Sequence, residues 1–219
     1  MFLAIVPAYN EANSIGSVVQ SLFDHVHEVL VVDDGSTDNT AEIAREAGAT
    51  VLSHKINRGQ GAALETGHEY ARRVGAMHVL HFDADGQLSV EDIMPALNVL
   101  KEKNAQVLFG TRYGDKVSNV PWTKRYIIGP ISRFVDRLFG AAHLSDAHNG
   151  FRILHRDALE KVQITQSGMA HASEIPRLVK QHNLSYIEVP VSVTYHEYGQ
   201  GMGSGMRTVR DLVFGFFVK

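Results

Sequence analysis

Val79-Leu80-His81-Phe82-Asp83-Ala84-Asp85-Gly86-Gln87 is an apolar run that ends in two carboxylates one residue apart. Residues i and i+2 of a strand point to the same side. Where the chain leaves a sheet, both acids of such a pair can turn toward one point in a crevice. Two anions that close repel each other unless a cation sits between them, and hard oxygen ligands suit Mg²⁺ or Mn²⁺. Gly86 lets the backbone turn directly after them. A solvated polar loop is the alternative for this stretch taken by itself.

Outward from this run, short apolar segments recur at Phe2 to Val6, Val29 to Val32, Val51-Leu52 and Val107 to Phe109. Helical spacing fills the gaps between them. Ile15, Val18, Val19, Leu22 and Phe23 share one face, with Asn13 or Ser14 as cap. Further helices are expected from Thr37 to Ala47, from Gly59 to Val74 and from Val90 to Lys103. Alternating βα units with near-continuous apolar strands predict an α/β fold: a mostly parallel central sheet with helices on both faces. Ligands of such sheets lie beyond the carboxyl ends of the strands. That edge receives Pro7-Ala8-Tyr9-Asn10-Glu11, Asp33-Asp34 and the Asp83/Asp85 pair. Three polar clusters on one edge point to one site.

The 219 residues suffice for one large domain, and 44% hydrophobic content with mean hydropathy −0.10 marks an ordinary globular chain. A net charge of −3 gives no sign of nucleic-acid binding. The absence of cysteine excludes disulfides and thiolate metal sites. MFLAIVPAYN lacks the features of a signal peptide, and no apolar run approaches the ~20 residues of a membrane span. The expected location is the cytoplasm or the inner face of a membrane. The twelve histidines show no HExxH or comparable ligand spacing, which argues against zinc.

The pattern changes after Thr111-Arg112. A loop is expected over Tyr113 to Val120 and a helix over Lys124 to Ala141, with Lys124, Arg125, Arg133 and Arg137 on its polar side. Asp146 to Arg152 reads as a polar turn entering a strand, and Gly168 to His182 as a helix. Ile187, Val189, Val191, Val193 and Tyr195 alternate as one half-buried strand, with Pro190 requiring an edge or a bulge. Four glycines in Gly199 to Gly205 precede an amphipathic helix over Met206 to Lys219. The basic helix and Phe216-Phe217 could form a surface for peripheral membrane contact. Solvated basic sides of core-facing helices, or a homodimer contact through the last helix, are the alternatives.

Two further stretches carry candidate chemistry. Asp33-Asp34-Gly35-Ser36-Thr37-Asp38 lies between a strand and a helix. Its acids can accept hydrogen bonds from a base or ribose, while Ser36, Thr37 or Asp38 can cap the helix. Gly59-Gln60-Gly61 reads as a tight turn where backbone approaches a nucleotide, with Lys55 or Arg58 near phosphate.

As an ordered set, VPAYNE, VVDDGSTDNT, NRGQGAA, DADGQ, GTRY and DAHNGFR resemble the family-2 glycosyltransferases of GT-A fold, the nucleotide-diphospho-sugar transferase fold. Within them the chain is most similar to the dolichol-phosphate mannose synthase-like branch, over roughly residues 2 to 195. The resemblance implies a single GT-A domain over 1–219, with a nucleotide-sugar-binding half over 1–112, an acceptor half over 113–198 and the glycine loop and helix over 199–219. It implies a UDP-, GDP- or dTDP-linked sugar donor, Mg²⁺ or Mn²⁺, and inversion at the anomeric carbon. Pro7, Tyr9 and Glu11 match the first nucleotide-contacting motif, and Val32 and Asp34 the positions that meet base and ribose. Asp83, Ala84 and Asp85 match the metal and diphosphate motif, and Gln87 a glutamine that joins the metal. Arg112 matches an arginine near the donor phosphates; Asp146 and the GFR segment match the acceptor side. Where relatives that use lipid phosphates often carry Arg and then Gly-x-Ser-Lys, this chain reads Tyr195 to Met202 without those cations. Arg207 or His196 are the candidate substitutes, and His196 is also a candidate third metal ligand.

The chemistry of the residues agrees with this reading. A nucleoside diphosphate leaves only when its developing charge is neutralised, which a metal on Asp83 and Asp85, with Arg112, would do. A hydroxyl acceptor needs a general base, for which Glu174 is the first candidate and Asp146 the second. A lipid phosphate acceptor is already an anion and needs none. The acceptor that the resemblance implies is a polyprenyl phosphate or a growing cell-surface glycan. The rival enzyme class is a haloacid dehalogenase-like phosphatase with Asp83 as nucleophile, although Gln87 stands where that group has threonine. A non-catalytic nucleotide-sugar binder is the third reading.

Overall fold

The computed structural model describes residues 1–113, 144–146 and 149–194. The helix expected over 124–141, the loop after Tyr113, residues 147–148 and everything from Tyr195 onward, His196 and Arg207 included, lie outside the described residues.

Among the described residues, seven strands form one sheet: β1 (Phe2–Ala8), β2 (Glu28–Asp33), β3 (Thr50–Ser53), β4 (His78–His81), β5 (Val107–Thr111), β6 (Arg152–His155) and β7 (Tyr186–Pro190). Their order is β3-β2-β1-β4-β6-β5-β7, with β6 antiparallel to both neighbours and every other pairing parallel. The described helices are α1 (Ile15–Leu22), α2 (Thr40–Glu46), α3 (Gln60–Arg73), α4 (Ile93–Glu102, after a 3₁₀ turn at Val90–Asp92), α5 (Arg156–Leu159) and α6 (His171–Gln181). The βα alternation thus becomes a mostly parallel sheet covered on both faces, with β6 inserted between β4 and β5.

All seven residues of β1 are buried, because it is central and covered on both sides. Phe2, Ala4, Val6 and Ala8 face one core with Ile15, Val18, Val19 and Leu22 of α1 and Ile93, Leu97 and Leu100 of α4. Leu3 and Ile5 face the other, with Ala63, Leu64 and Ala71 of α3 and Ile175 and Val179 of α6. Each fully buried Leu, Ile or Val contributes about 1.5–3 kcal/mol, which outweighs the weak propensity of β-branched residues for anything but strands. α3 lies so close to β1 that a Cβ on Gly67 would stand 2.5 Å from Ile5 Cγ2.

Three expectations are corrected. Ser14 occupies the cap position of α1 without capping it, because its hydroxyl donates to Glu11 Oε2 at 2.8 Å. α2 begins at Thr40 rather than Thr37, because Ser36 to Asp38 are engaged with the loop after β1. The run from Ile187 to Tyr195 is not one strand. Among the described residues β7 is an edge strand, and it ends at Pro190. After Val191, whose N–H still reaches Thr111, the chain leaves β5 and residues 192–194 pair with 87–89.

His78, half-buried at the start of β4, has its pKa lowered to about 4 by burial and by the charges of His155 and Lys101. Its unfolded value is near 6.5, so stability is complete above that pH and falls as pH drops toward 4, where only the unfolded chain takes up the proton. Urea titrations should show His78→Gln losing about 1–2 kcal/mol less stability than the parent between pH 7.5 and 4.5.

Candidate active site

β1, β2 and β4 lie side by side and parallel, so their carboxyl ends open on one edge. A cavity of about 350 Å³ sits there, lined by Pro7, Ala8, Tyr9 and Glu11 after β1, Asp34 after β2, and Asp83, Ala84 and Asp85 after β4. Asn57, Gly59, Gln60 and Ala63 from the approach to α3 and its first turn close the wall. The three polar clusters therefore meet.

The GSTDNT segment works as a brace for the first cluster. Asn10, in the left-handed region with φ 56°, donates its N–H to Ser36 Oγ at 2.9 Å and accepts from the Thr37 N–H at 2.8 Å. The Glu11 N–H reaches Thr40 Oγ1 at 2.8 Å, and the Ala12 N–H reaches Asp38 Oδ2 at 3.2 Å. Asp38 also accepts from the Thr40 N–H at the start of α2, but the cap position is Asn39 and makes no side-chain cap bond, so none of the three candidate caps occupies it.

Asp34 is buried and its carboxylate is spoken for within the protein. It accepts from His54 Nδ1 at 2.6 Å and from the N–H groups of Arg58 and Gly59 at 2.9 and 2.6 Å. It thereby fixes the turn at 57–59 against the cavity. His54 has no signal in the sequence that marks it for this role. The glycines of Gly59-Gln60-Gly61 have a further cause besides the turn at the cavity: a Cβ would stand 2.4 Å from Ser167 O at Gly59, where φ is +95°, and 1.9 Å from Gln166 O at Gly61. They admit the 166–168 loop beside the cavity.

Asp83 is partly buried and Asp85 exposed. Gln60 Nε2 donates to Asp83 Oδ1 at 3.1 Å, and the Gln87 N–H donates to Asp85 Oδ1 at 3.0 Å. Burial and then the charge of Asp85 push the Asp83 carboxyl up to about 6, against the pull of Arg152, Gln60 and Arg112. This is the electrostatic state of two acids that a cation would relieve. Among the described residues no group of three or more His, Asp or Glu is arranged around one point. Two hard carboxylates, one turned to solvent, fit a Mg²⁺ or Mn²⁺ ion, which would supply positive charge for phosphate oxygens there.

The remaining candidates sit apart from the cavity wall. Val32 is fully buried in the core on the α3 side. Gln87 is half-buried, and its carbonyl accepts from the Thr194 N–H at 2.9 Å, so the 192–194 segment braces the loop behind the acids. Arg112 and Asp146 hold each other: Nε to Oδ2 at 2.6 Å, NH2 to Oδ1 at 2.5 Å, and the Arg112 N–H to Oδ2 at 3.0 Å. Asp146 is thus buried in a bidentate pair rather than poised for proton transfer. Arg152, one of the largest fully buried side chains, lies within the charge field of both Asp83 and Asp146, and burial lowers its pKa to about 10. The GFR stretch carries it, yet an arginine in a strand gives no sign that it is buried.

Glu174, expected as base, is buried in the first turn of α6 and does not line the cavity. It accepts from the Thr165 N–H and hydroxyl and from the Gln166 N–H at 2.9 Å. Those donors use its lone pairs to anchor the 165–168 loop. Glu174→Gln should cost about 1–3 kcal/mol in urea unfolding, with kcat within about tenfold of the parent. A base would lose far more.

Gly150 makes room for the acids. A Cβ there would stand 1.9 Å from Asp83 Oδ2 and 2.4 Å from its Cγ. Gly150→Ala should displace Asp83 and weaken Mn²⁺-dependent nucleotide binding by at least about tenfold in calorimetry, with circular dichroism unchanged.

Residues 3–163 match glycosyl transferase family 2. The chain belongs to that family. Its relatives place it in the dolichol-phosphate mannose synthase-like branch. It is 29% identical to the UDP-N-acetylglucosamine–dolichyl-phosphate N-acetylglucosaminyltransferase of Methanococcus voltae, over 92% of this chain and 89% of that one. It is 28% identical to the polyprenol monophosphomannose synthase of Mycolicibacterium smegmatis, over 97% and 84%. The fold is that of glucosyl-3-phosphoglycerate synthase from Mycobacterium tuberculosis, solved with Mg²⁺ and UDP: TM-score 0.74, 19% identity, covering 97% of this chain and 76% of that one. The family-2 chain is therefore a glycosyltransferase of GT-A fold, and the phosphatase reading of Asp83 falls.

Proposed function

We propose that this glycosyltransferase moves a sugar from a nucleoside diphosphate to a polyprenyl phosphate, with inversion and with Mg²⁺ or Mn²⁺ held by Asp83 and Asp85. The observation that carries the metal is the Asp83 carboxyl, raised to about 6 partly by Asp85 in a cavity at the carboxyl edge of the sheet. When bound, the ion neutralises charge on the departing diphosphate. Pro7, Tyr9 and Glu11, with the turn pinned by Asp34, receive the nucleoside. Tyr9 is 46% exposed and offers its ring at the wall. Gln60 orients Asp83, and Arg112, steadied by Asp146, adds positive charge beside the acids.

The acceptor reading rests on two supports. With Glu174 anchoring a loop and Asp146 paired to Arg112, neither candidate base is free to accept a proton, which suits an acceptor that is already an anion. The two relatives above are named for dolichyl phosphate and polyprenol products. A lipid-linked acceptor would bring the cavity to a membrane surface, at its cytoplasmic face. Among the described residues no helix is long and apolar enough to cross a membrane. A growing cell-surface glycan is the second acceptor class.

The test is a panel of UDP-, GDP- and dTDP-sugars with Mn²⁺ or Mg²⁺, with polyprenyl phosphate or glycan acceptors, following nucleoside diphosphate release and the anomeric configuration of the product. Transfer that survives chelation, or a product of retained configuration, overturns the mechanism; transfer to glycans alone overturns the acceptor.

A further inference from the structure

Beneath the two acids lies a buried polar layer that the proposed chemistry does not use. His81 ends β4, two residues before Asp83. It is 1% exposed, and its register partners are Ile5 on β1 and Arg152 on β6. His68, on the third turn of α3, is fully buried, and its Nε2 lies 2.7 Å from His81 Nε2. Histidines that isolated from water require a specific arrangement of protons.

We infer that His68 and His81 are a positioning dyad, in which an Nε2–H of His81 donates to Nε2 of His68 and so fixes the exit of β4 and the placement of Asp83. The acceptors around His68 decide the direction. Its Nδ1 faces Val162 O at 3.3 Å and Glu65 Oε2 at 3.6 Å, neither of which can donate. With a single proton on its ring, His68 carries it on Nδ1, which leaves Nε2 as a lone pair. His81 must then carry its proton on Nε2, and its buried Nδ1 is bare, with no hydrogen-bond partner. Glu65 is itself fixed by the Ile164 N–H at 2.6 Å and by Arg72. The chain of contacts thus runs from a clamped loop through Glu65, His68 and His81 to the strand end. α3 holds that end twice, since Gln60 in its first turn grips Asp83.

The inference rests on the reading of Asp83 and Asp85 as a metal clamp. Glutamine places an N–H where the histidine Nε2–H stood, whereas phenylalanine fills the space without a donor. Calorimetry with UDP and GDP, with Mn²⁺ and with chelator, should find His81→Gln within about threefold of the parent. His81→Phe should bind at least about tenfold more weakly with Mn²⁺ and unchanged without it. Equal Mn²⁺-dependent binding by His81→Phe, or an equal loss with and without metal, overturns the dyad. A parent protein that binds no nucleotide with metal refutes the donor-site reading itself and takes the dyad's role with it. Imidazole ¹⁵N spectra of the parent supply the check that needs no variant: Nδ1–H on His68 and Nε2–H on His81 are expected, and the opposite tautomers refute the assignment.

Discussion

Asp85→Asn should reduce turnover of a nucleotide sugar by about 10²–10³-fold or more and abolish the Mn²⁺-dependent part of donor binding, with no loss of melting temperature. The asymmetry follows from where the side chain sits. Asp85 is exposed, and its one described hydrogen bond is from the N–H of Gln87 two residues on, which an asparagine oxygen can still accept. Nothing in the core depends on it. Its charge, in contrast, is one of the two that a metal would meet. Calorimetry and a coupled assay for nucleoside diphosphate release separate the two effects. Undiminished metal-dependent affinity in the variant would contradict the clamp, and a large loss of stability would mean that Asp85 is structural.

The sheet was legible because its strands are buried on both faces. Val29 to Val32 and Phe2 to Val6 are near-continuous apolar runs, and only a covered parallel sheet needs them. The strand end at Asp83 was legible for the opposite reason, since paired acids after an apolar run have few other uses. What the pattern does not encode is the destination of each polar side chain. Glu174 and Asp146 have the chemistry of bases, but the N–H groups of the 165–166 loop claim one and Arg112 the other, and both partners are distant in sequence or come from loops without periodicity. Val32 matches a nucleotide position, yet alternation turns its side chain into the core. Arg152, His68 and His81 read as surface residues by type, and only tertiary packing puts them beneath the strand end that carries the acids. Pro190 signalled the sheet edge correctly, but the switch of partner after it, from β5 to residues 87–89, depends on where the loop of the acids lies.

Asp83→Asn should be as damaging to turnover as Asp85→Asn, about 10²–10³-fold or more, but should make the unliganded protein more stable. The folded surroundings oppose the charge on this carboxyl: burial and Asp85 raise it from 3.8 to about 6 even though Arg152, Gln60 and Arg112 pull the other way. A difference of about two units corresponds to roughly 3 kcal/mol at pH 7.5, and partial contact with solvent reduces the realised figure to about 1–2 kcal/mol. Asparagine keeps the shape, fits beside Gly150 and still accepts from Gln60, so it removes the charge without opening a cavity. The melting temperature of the metal-free variant should rise by about 2–8 °C for a chain of this size. Mn²⁺ with a nucleoside diphosphate should then stabilise the parent protein and leave the variant unmoved, because ligand stabilisation requires a site that binds only the folded state. A variant less stable than the parent would show that Asp83 serves chiefly as the partner of the buried Arg152. In that case the two acids are a structural network rather than a clamp waiting for its cation.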